Sequence, residues 1–242
     1  MPYICMAFFI KIFFSLKNFL FPSACVLCGA NLIGADEIQY SLCKQCRISI
    51  VPIQGHKCLV CGKPLISENG ICIPCRNIKE RSFDRLWVLY PYTGKYRKLL
   101  GFYKFSKNLE LSAFFAKKII ELIANEAILK DAVIVPVPPR PGKIKHSGWD
   151  QIDYLIKQME KISGCLPVNR CLKRRKSKVQ KHLNRTERLE NLKGRIFIKG
   201  AVPKIALIVD DVITTGSTIE VCAQTLKQGG AEKVLGLCLF YD

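Results

Sequence analysis

Acidic side chains are scarce in this 242-residue chain: 19 Asp and Glu stand against 38 Lys and Arg, a formal net charge of +19. That imbalance predicts attraction to polyanions, whether phosphates, nucleic acid or an anionic membrane surface, without choosing among them. Histidine is scarcer still. His56, His146 and His182 are scattered, and no Ser-His-Asp or Cys-His grouping suggests a covalent hydrolase. Nowhere does an apolar run reach the roughly 20 uninterrupted residues that a membrane span requires. The closest approach is residues 1–22, where Lys11 and Lys17 interrupt it. Because these lysines lie inside the stretch rather than before it, and no small-x-small cleavage site follows cleanly, a secretory signal is a poor fit. We expect an apolar amphipathic helix over 1–22, docked on the protein or in peripheral contact with a membrane surface, with a signal or anchor as the alternative. No repeat of solenoid length is present. With 49% apolar residues, the chain has enough material for a real core.

Cysteine, by contrast, is abundant, and its placement says more than its number. Of 13 cysteines, eight form four C-x-x-C pairs: Cys25 and Cys28, Cys43 and Cys46, Cys58 and Cys61, Cys72 and Cys75. Such pairs in succession match the two-residue knuckles that grip a tetrahedral metal, and they imply a reducing, cytoplasmic setting. Taken in sequence order, Cys25, Cys28, Cys43 and Cys46 would hold one zinc, and Cys58, Cys61, Cys72 and Cys75 a second. Gly29 and Gly62 follow second cysteines, as knuckles favour. Spacing equally permits an interleaved arrangement joining the first pair to the third. Closed four-thiolate sites are structural, and the metal would supply much of the folding free energy of so small a module. His56 could substitute as a ligand, but a surface position is expected. Cys5, Cys165, Cys171, Cys222 and Cys238 are read as core or incidental residues.

Beyond Cys75 cysteine density collapses, placing a boundary near residues 78–84. The expected organisation is a helix over 1–22, a zinc module over 23–80 and an α/β domain over 81–242. Residues 85–92 read as a strand. The spacing of Leu111, Phe115, Ile119 and Leu122 predicts a helix within 108–126. The β-branched run 132–137, stopped by Pro138 and Pro139, predicts a buried strand, and a helix is expected over 149–163. Between 170 and 188, Arg170, Lys173, Arg174, Arg175, Lys176, Lys178, Lys181, Arg185 and Arg188 are offset by Glu187 alone. That stretch is too polar for a core element and reads as a loop leading into a short helix. The last third reads as a βαβ unit: strand 205–209, turn 214–217, helix 218–228, a stop at Gly229 and Gly230, and strand 234–240. Such units give parallel sheets that bind ligands at the carboxyl ends of their strands.

The string IALIVDDVITTGST at 205–218 joins a buried strand to a helix through two acids and a small-residue turn. Thr214, Thr215, Gly216, Ser217 and Thr218 offer closely spaced N–H groups and four hydroxyls at the positive end of a helix dipole, a cradle for phosphate. Asp210 and Asp211 need cations or hydroxyls to face them, and a ribose diol with Mg²⁺ supplies both. On spacing alone, the acids could instead cap the turn and the hydroxyls the helix.

The motif closely resembles the phosphoribosyl-pyrophosphate (PRPP) signature of type I phosphoribosyltransferases. The resemblance implies that Asp210 and Asp211 contact the ribose 2′- and 3′-hydroxyls, that 214–218 wraps the 5′-phosphate, and that Mg²⁺ accompanies PRPP. In that superfamily a second loop holds the pyrophosphate. Its counterpart here is VPVPPRPGKIKHSGWDQ at 135–151, with Arg140, Lys143 and Lys145 as candidate contacts. V-P-V-P followed by basic residues and a G-F-N-Q-like element resembles the ComF family, which includes ComFC and GntX-like proteins. The F-P before the first cysteine pair, the double C-x-x-C module, the Y-x-G and F-Y-K elements within 92–104, and the S-K-V-Q and R-x-E-R-x-x-N runs at 177–191 extend the likeness over nearly the whole chain. Trp149, Asp150 and Ser177 depart from the family's Phe, Asn and Thr. Asp150 would repel a pyrophosphate unless a metal bridged them.

The expected fold is therefore α/β, a type I phosphoribosyltransferase-like domain (a parallel sheet flanked by helices) behind a small N-terminal zinc module. By the resemblance, three functions stay open. The first is handling of single-stranded DNA in natural transformation, alongside competence proteins, with Lys173, Arg174, Arg175 and Lys176 as an electrostatic track and Trp149 or Tyr154 stacking on bases. The basic run could instead be a solvated hood over the site. The second function is a phosphoribosyltransferase of unknown acceptor, in which Mg²⁺ and basic side chains stabilise departing pyrophosphate. The third is a PRPP-responsive regulator without turnover.

Overall fold

The computed structural model describes residues 23–78, 81–176 and 190–242. The expected N-terminal helix and the part of the basic run at 177–189, including Ser177, Lys178, Lys181, Arg185 and Arg188, lie outside the described residues. No helix among the described residues is long and apolar enough to cross a membrane.

Four strands form the central sheet: β1 (Arg85–Pro91), β2 (Val133–Pro136), β5 (Ile205–Ile213) and β6 (Lys233–Tyr241), in the order β1-β6-β5-β2 and all parallel. Continuous apolar runs such as 234–240 form these strands because both faces of the sheet are covered. Period-2 alternation sorts the side chains. Leu207, Val209, Leu235, Leu237 and Leu239 enter one core, and Ala206, Ile208, Val234 and Cys238 the other.

The first core lies against α4 (Gly94–Lys104), α5 (Leu111–Asn125) and α7 (Gln151–Ser163); the second lies against α8 (Ser217–Gln228). In α5 the expected Leu111, Phe115 and Ile119 are buried, and so are Ala113, Phe114 and Ala116. The helix has two buried faces because the cysteine module covers the side turned from the sheet. Short helices α1 (Ala35–Tyr40), α2 (Lys44–Ser49) and α3 (Ile73–Arg76) belong to that module, and α6 (Lys143–Ser147) follows β2. Its Leu32, Tyr40, Leu42 and Ile50 are buried in the first core, with the Tyr40 ring edge-on to Phe114 at 6.1 Å.

The module also closes a sheet edge. Ile53 N donates to Leu89 O at 2.7 Å and Leu86 N to Val60 O at 2.9 Å, along the free side of β1. At the other edge, Ile134 N donates to Pro167 O and Ile134 O accepts from Asn169 N. Neither edge offers an open ladder for a foreign strand.

Two expectations change, and one element was missed. The strand after residue 205 does not stop at 209: β5 stays paired with β6 through Asp210↔Cys238, Val212↔Phe240 and Ile213↔Tyr241. The segment expected as a loop after 170 instead contains β3 (Leu172–Arg174), antiparallel to β4 (Ile196–Ile198). Finally, α4 had no reading as a helix, because its buried residues reduce to Leu99, Leu100 and Tyr103 and it contains Gly94 and Gly101.

Gly62 marks where the module meets the sheet. Its φ is +69°, and a Cβ there would lie 2.7 Å from Leu86 O and 3.2 Å from Val88 N. Gly55 has a similar φ of +78° with nothing within 4 Å. Gly55→Ala should therefore carry only backbone strain, about 1–2 kcal/mol, while Gly62→Ala adds a clash with backbone and should cost about 2–4 kcal/mol. Urea melts of the zinc-loaded variants check this; equal losses would mean the close approach is relaxed at no cost.

Candidate functional site

The eight module cysteines come together in sequence order, as Cys25, Cys28, Cys43, Cys46 and as Cys58, Cys61, Cys72, Cys75, the sulfurs of each group within 4.8 Å of one another. The interleaved arrangement is not the one found. Tetrahedral zinc with bonds near 2.3 Å sets sulfurs about 3.8 Å apart; Cys28 and Cys43 are 3.7 Å apart, and Cys61 and Cys72 3.6 Å. Backbone N–H groups point at the sulfurs, Cys46 N to Cys43 Sγ and Cys72 N to Cys58 Sγ at 3.4 Å each. Burial works against ionising Cys25 and Cys58, yet neighbouring N–H donors draw both thiols down to about 7. Both groups fit structural zinc. His56 is exposed, as expected, while Cys171, Cys222 and Cys238 are buried and Cys165 is exposed.

At the carboxyl end of β5, Asp210, Thr214, Thr215, Gly216, Ser217 and Thr218 line a shallow hollow at the entrance to α8. Gly216 is the N-cap, with φ 77°, a left-handed geometry glycine adopts freely. Ser217 N approaches Thr215 Oγ1 at 3.4 Å, and the two hydroxyls lie 2.8 Å apart.

Because β5 continues through both acids, their side chains leave on opposite faces. Asp211 is 6% exposed and bound inward. Its Oδ2 accepts from Lys104 Nζ and from Gln151 Nε2, each at 2.7 Å. Burial alone would raise its pKa, but the Lys104 ammonium overrides burial and holds it below the usual range. Asp210 lines the hollow, and burial, then the charge of Asp211, push its pKa well above the ordinary value. The pair expected to act together has thus divided. Lys104 was missed as a site residue; the F-Y-K element was its only trace in the sequence.

The same network reaches the proline-rich loop. Tyr103 O–H donates to Gln151 O at 2.5 Å, and Gln151 Oε1 accepts from Lys143. Lys143 also pairs with Asp150 Oδ2 at 2.6 Å, while Asp150 Oδ1 caps α7 by accepting from Ile152 N and Asp153 N. The repulsion expected from Asp150 is therefore answered by Lys143 and by helix capping. Lys143 is itself held in that role, whereas Arg140 and Lys145 line a cavity.

That cavity, of about 450 Å³, lies between residues 136–145 and β3. Arg140, Lys145, Arg170, Lys173 and Arg174 line it together with Asp150 and Asp153. Burial, then the like charge of Arg140, lowers the pKa of Arg174, which also feels Asp210. The four-residue basic track is thereby split. Lys173, Arg175 and Lys176 are exposed, Arg175 over the Phe197 ring at 4.9 Å, while Arg174 is half-buried beside the cavity. Trp149 is half-buried and edge-on to both Tyr103 and Tyr154, a packing role rather than an open stacking platform.

These features define a class: an α/β protein with a hydroxyl-rich, glycine-capped strand-to-helix loop at the end of a parallel sheet, bonded to a module of two four-cysteine sites. A family model described as the double zinc ribbon domain matches residues 16–76. The chain is 31% identical over 218 residues to DNA utilization protein YhgH of Salmonella typhi, covering 82% of this chain and 96% of that one. It is 26% identical over 225 residues to Competence protein ComFC of Bacillus subtilis (strain 168), covering 85% and 89%. The chain belongs to the ComF family. A solved purine phosphoribosyltransferase from Pyrococcus horikoshii overlaps with a TM-score of 0.31 and 18% identity, over 52% of this chain and 82% of that one. That overlap is too loose to argue from.

Two outcomes follow from the geometry. Lys104→Met leaves Asp211 buried without its cation. Removing one partner of a buried pair costs about 3–5 kcal/mol; with the Lys104 side chain 32% exposed, about 1–3 kcal/mol is expected at pH 7 after allowing for solvent screening. In the native chain the lowered Asp211 pKa contributes stability above the unfolded carboxyl value, lost as pH falls through the folded one. The variant should therefore be hurt at pH 7, with the penalty beginning to shrink once pH falls to about 4, the unfolded carboxyl value. Urea melts at both values check the sign. Metal analysis should find two zinc ions per chain, falling to one in the Cys58→Ser, Cys61→Ser double variant.

Proposed function

We propose that this chain binds PRPP or a close phosphoribosyl relative in the loop at 210–218, and that it works on single-stranded DNA during DNA uptake. One observation carries the first half: a hydroxyl-rich, left-handed entrance to α8 lies beside a half-buried acid, Asp210, with Arg174 within electrostatic reach. N–H groups at a helix entrance favour the 5′-phosphate. Arg140 and Lys145, on the loop after β2, would meet the pyrophosphate. Asp210 is suited to the ribose hydroxyls, because its raised pKa is relieved by hydroxyl donors or a cation. Asp211 supports it from behind. Mg²⁺ arriving with PRPP would neutralise pyrophosphate charge.

Support for the second half comes from relatives named for DNA utilization and competence, and from the exposed cations Lys173, which lines the cavity, and Arg175 and Lys176, which follow it in the chain. A second reading, a phosphoribosyltransferase, is favoured by the cavity itself, which has room for an acceptor beside the loop. In that reaction a nucleophile bonds to ribose C1 as the C1–O bond to pyrophosphate breaks and pyrophosphate leaves with the electron pair. Electrostatic stabilisation of that departing charge would be the protein's contribution. Pyrophosphate release with a panel of acceptors separates the two readings.

Calorimetry with PRPP and Mg²⁺ should show binding that Asp210→Asn weakens by about tenfold, or 1.4 kcal/mol. Single-strand binding should fall with salt at a log-log slope of about −0.7 per phosphate contact. Replacing Lys173, Arg175 and Lys176 with Ala should flatten that slope by about 2. Affinity for PRPP unchanged in Asp210→Asn, or a salt slope indifferent to the triple variant, overturns the corresponding half.

A further inference from the structure

Arg81 sits where the second cysteine group, the start of the α/β domain and the phosphate-type loop converge. Its side chain is 10% exposed. One arm of the guanidinium, Nη2, lies 3.7 Å from Cys75 Sγ. The other, Nη1, lies 3.8 Å from Glu220 Oε2 in the first turn of α8. The opposite oxygen, Glu220 Oε1, accepts from Ser82 N at 2.8 Å, so the same carboxylate also ties down the backbone next to Arg81. The guanidinium stands 5.3 Å from the centroid of Phe83. At Gly216, the N-cap of α8, a Cβ would lie only 3.6 Å from Nη1. A planar fork with donors on both arms suits such a bridge, and a lysine, with a single charged centre, does not.

We propose that Arg81 is a positioning residue that couples metal occupancy of the second cysteine group to the shape of the loop at 214–218. Zinc held by four thiolates leaves a net charge of −2, for which Arg81 is a counter-charge at bonding distance to one ligand. Cys75 lies on α3, a helix of four residues, and a knuckle this small depends on its metal for a fixed shape. When the knuckle loses zinc, Cys75 leaves its place and the fork is held at one end only, against Glu220. Tension on the first turn of α8 then changes beside the glycine that sets the loop. The second zinc site thereby acts as an anchor for a phosphate cradle located on another part of the chain.

The effect on ligand rests on the phosphoribosyl reading above; the coupling itself does not, and the test keeps them apart. Hydrogen exchange, read by mass spectrometry without ligand, compares zinc-loaded wild type, chelator-treated wild type and Arg81→Met. Amides of 214–220 should exchange about tenfold faster after chelation and in Arg81→Met, with no further gain when Arg81→Met is chelated. Core amides of 205–209 and 234–238 should stay protected throughout. Arg81→Lys, which preserves the charge, keeps the test available should the Met variant fold poorly, and is expected to fall between the two. PRPP affinity should drop by about fivefold or more in Arg81→Met. Loop exchange that ignores both the substitutions and chelation removes the coupling. Zinc-loaded wild type that shows the coupling but takes up no PRPP removes the phosphoribosyl reading alone.

Discussion

Two adjacent carboxylates at the end of a buried strand cannot both stay charged and unanswered, and the way this chain resolves that conflict organises the rest of the molecule. Strand alternation sends the two acids to opposite faces of the sheet. Asp211 goes to the face holding α4, α5 and α7, where Lys104 and Gln151 meet it. Asp210 goes to the face of Arg174 and Cys222, beside the hollow. One acid becomes part of the framework and the other remains chemically available. Gln151 then extends the framework to Lys143 and Asp150, so the entrance to α7 and the proline-rich loop are fixed by the residue that fixes Asp211.

The signature string was legible because its parts are local: a strand, two acids, a small-residue turn and a helix that follow one another without gaps. Its internal division was not legible. The apolar run ends at Val209, so the strand seemed to end there. The backbone nevertheless continues, because its partner β6 stays apolar to Phe240 and supplies a ladder to Ile213. Pairing depends on both strands, and a reading of one strand alone misses it. Lys104 escaped for a similar reason, since the 107 residues separating it from Asp211 leave no local pattern. The cysteine groups were legible as pairs, but only the folded chain chooses between sequential and interleaved grouping.

β3 shows how composition misleads. Leu-Lys-Arg carries one apolar residue and reads as loop, yet Leu172 is buried, Arg174 half-buried and Lys173 exposed, the alternation of a short strand. A charged run was read as a uniform surface; the strand instead divides it by burial, with Arg174 half-buried and Lys173, Arg175 and Lys176 exposed. A similar economy appears in the cysteine module. Read as a metal-dependent appendage, it also donates Leu32, Tyr40, Leu42 and Ile50 to the main core and covers the edge of β1. Its stability and that of the sheet are therefore linked through burial as well as through metal.

The large positive charge is best understood against these local pairings. Around the cavity, Asp150 is met by Lys143, and Asp153 by Lys157 and Arg170. The scarce acids are thus answered individually, and five cations lining the cavity against two acids leave a positive field. A concave surface of one sign concentrates anions from solution and raises the rate of encounter. It does not discriminate between a pyrophosphate, a nucleotide and a strand of DNA, because each offers the same charge. Discrimination requires polar groups at fixed positions; on the proposed reading those would be Asp210 and the hydroxyls at the junction of β5 and α8, on backbone held by strand pairing and by Gly216. On the proposed reading, charge would draw ligands in and the strand-to-helix junction would select among them.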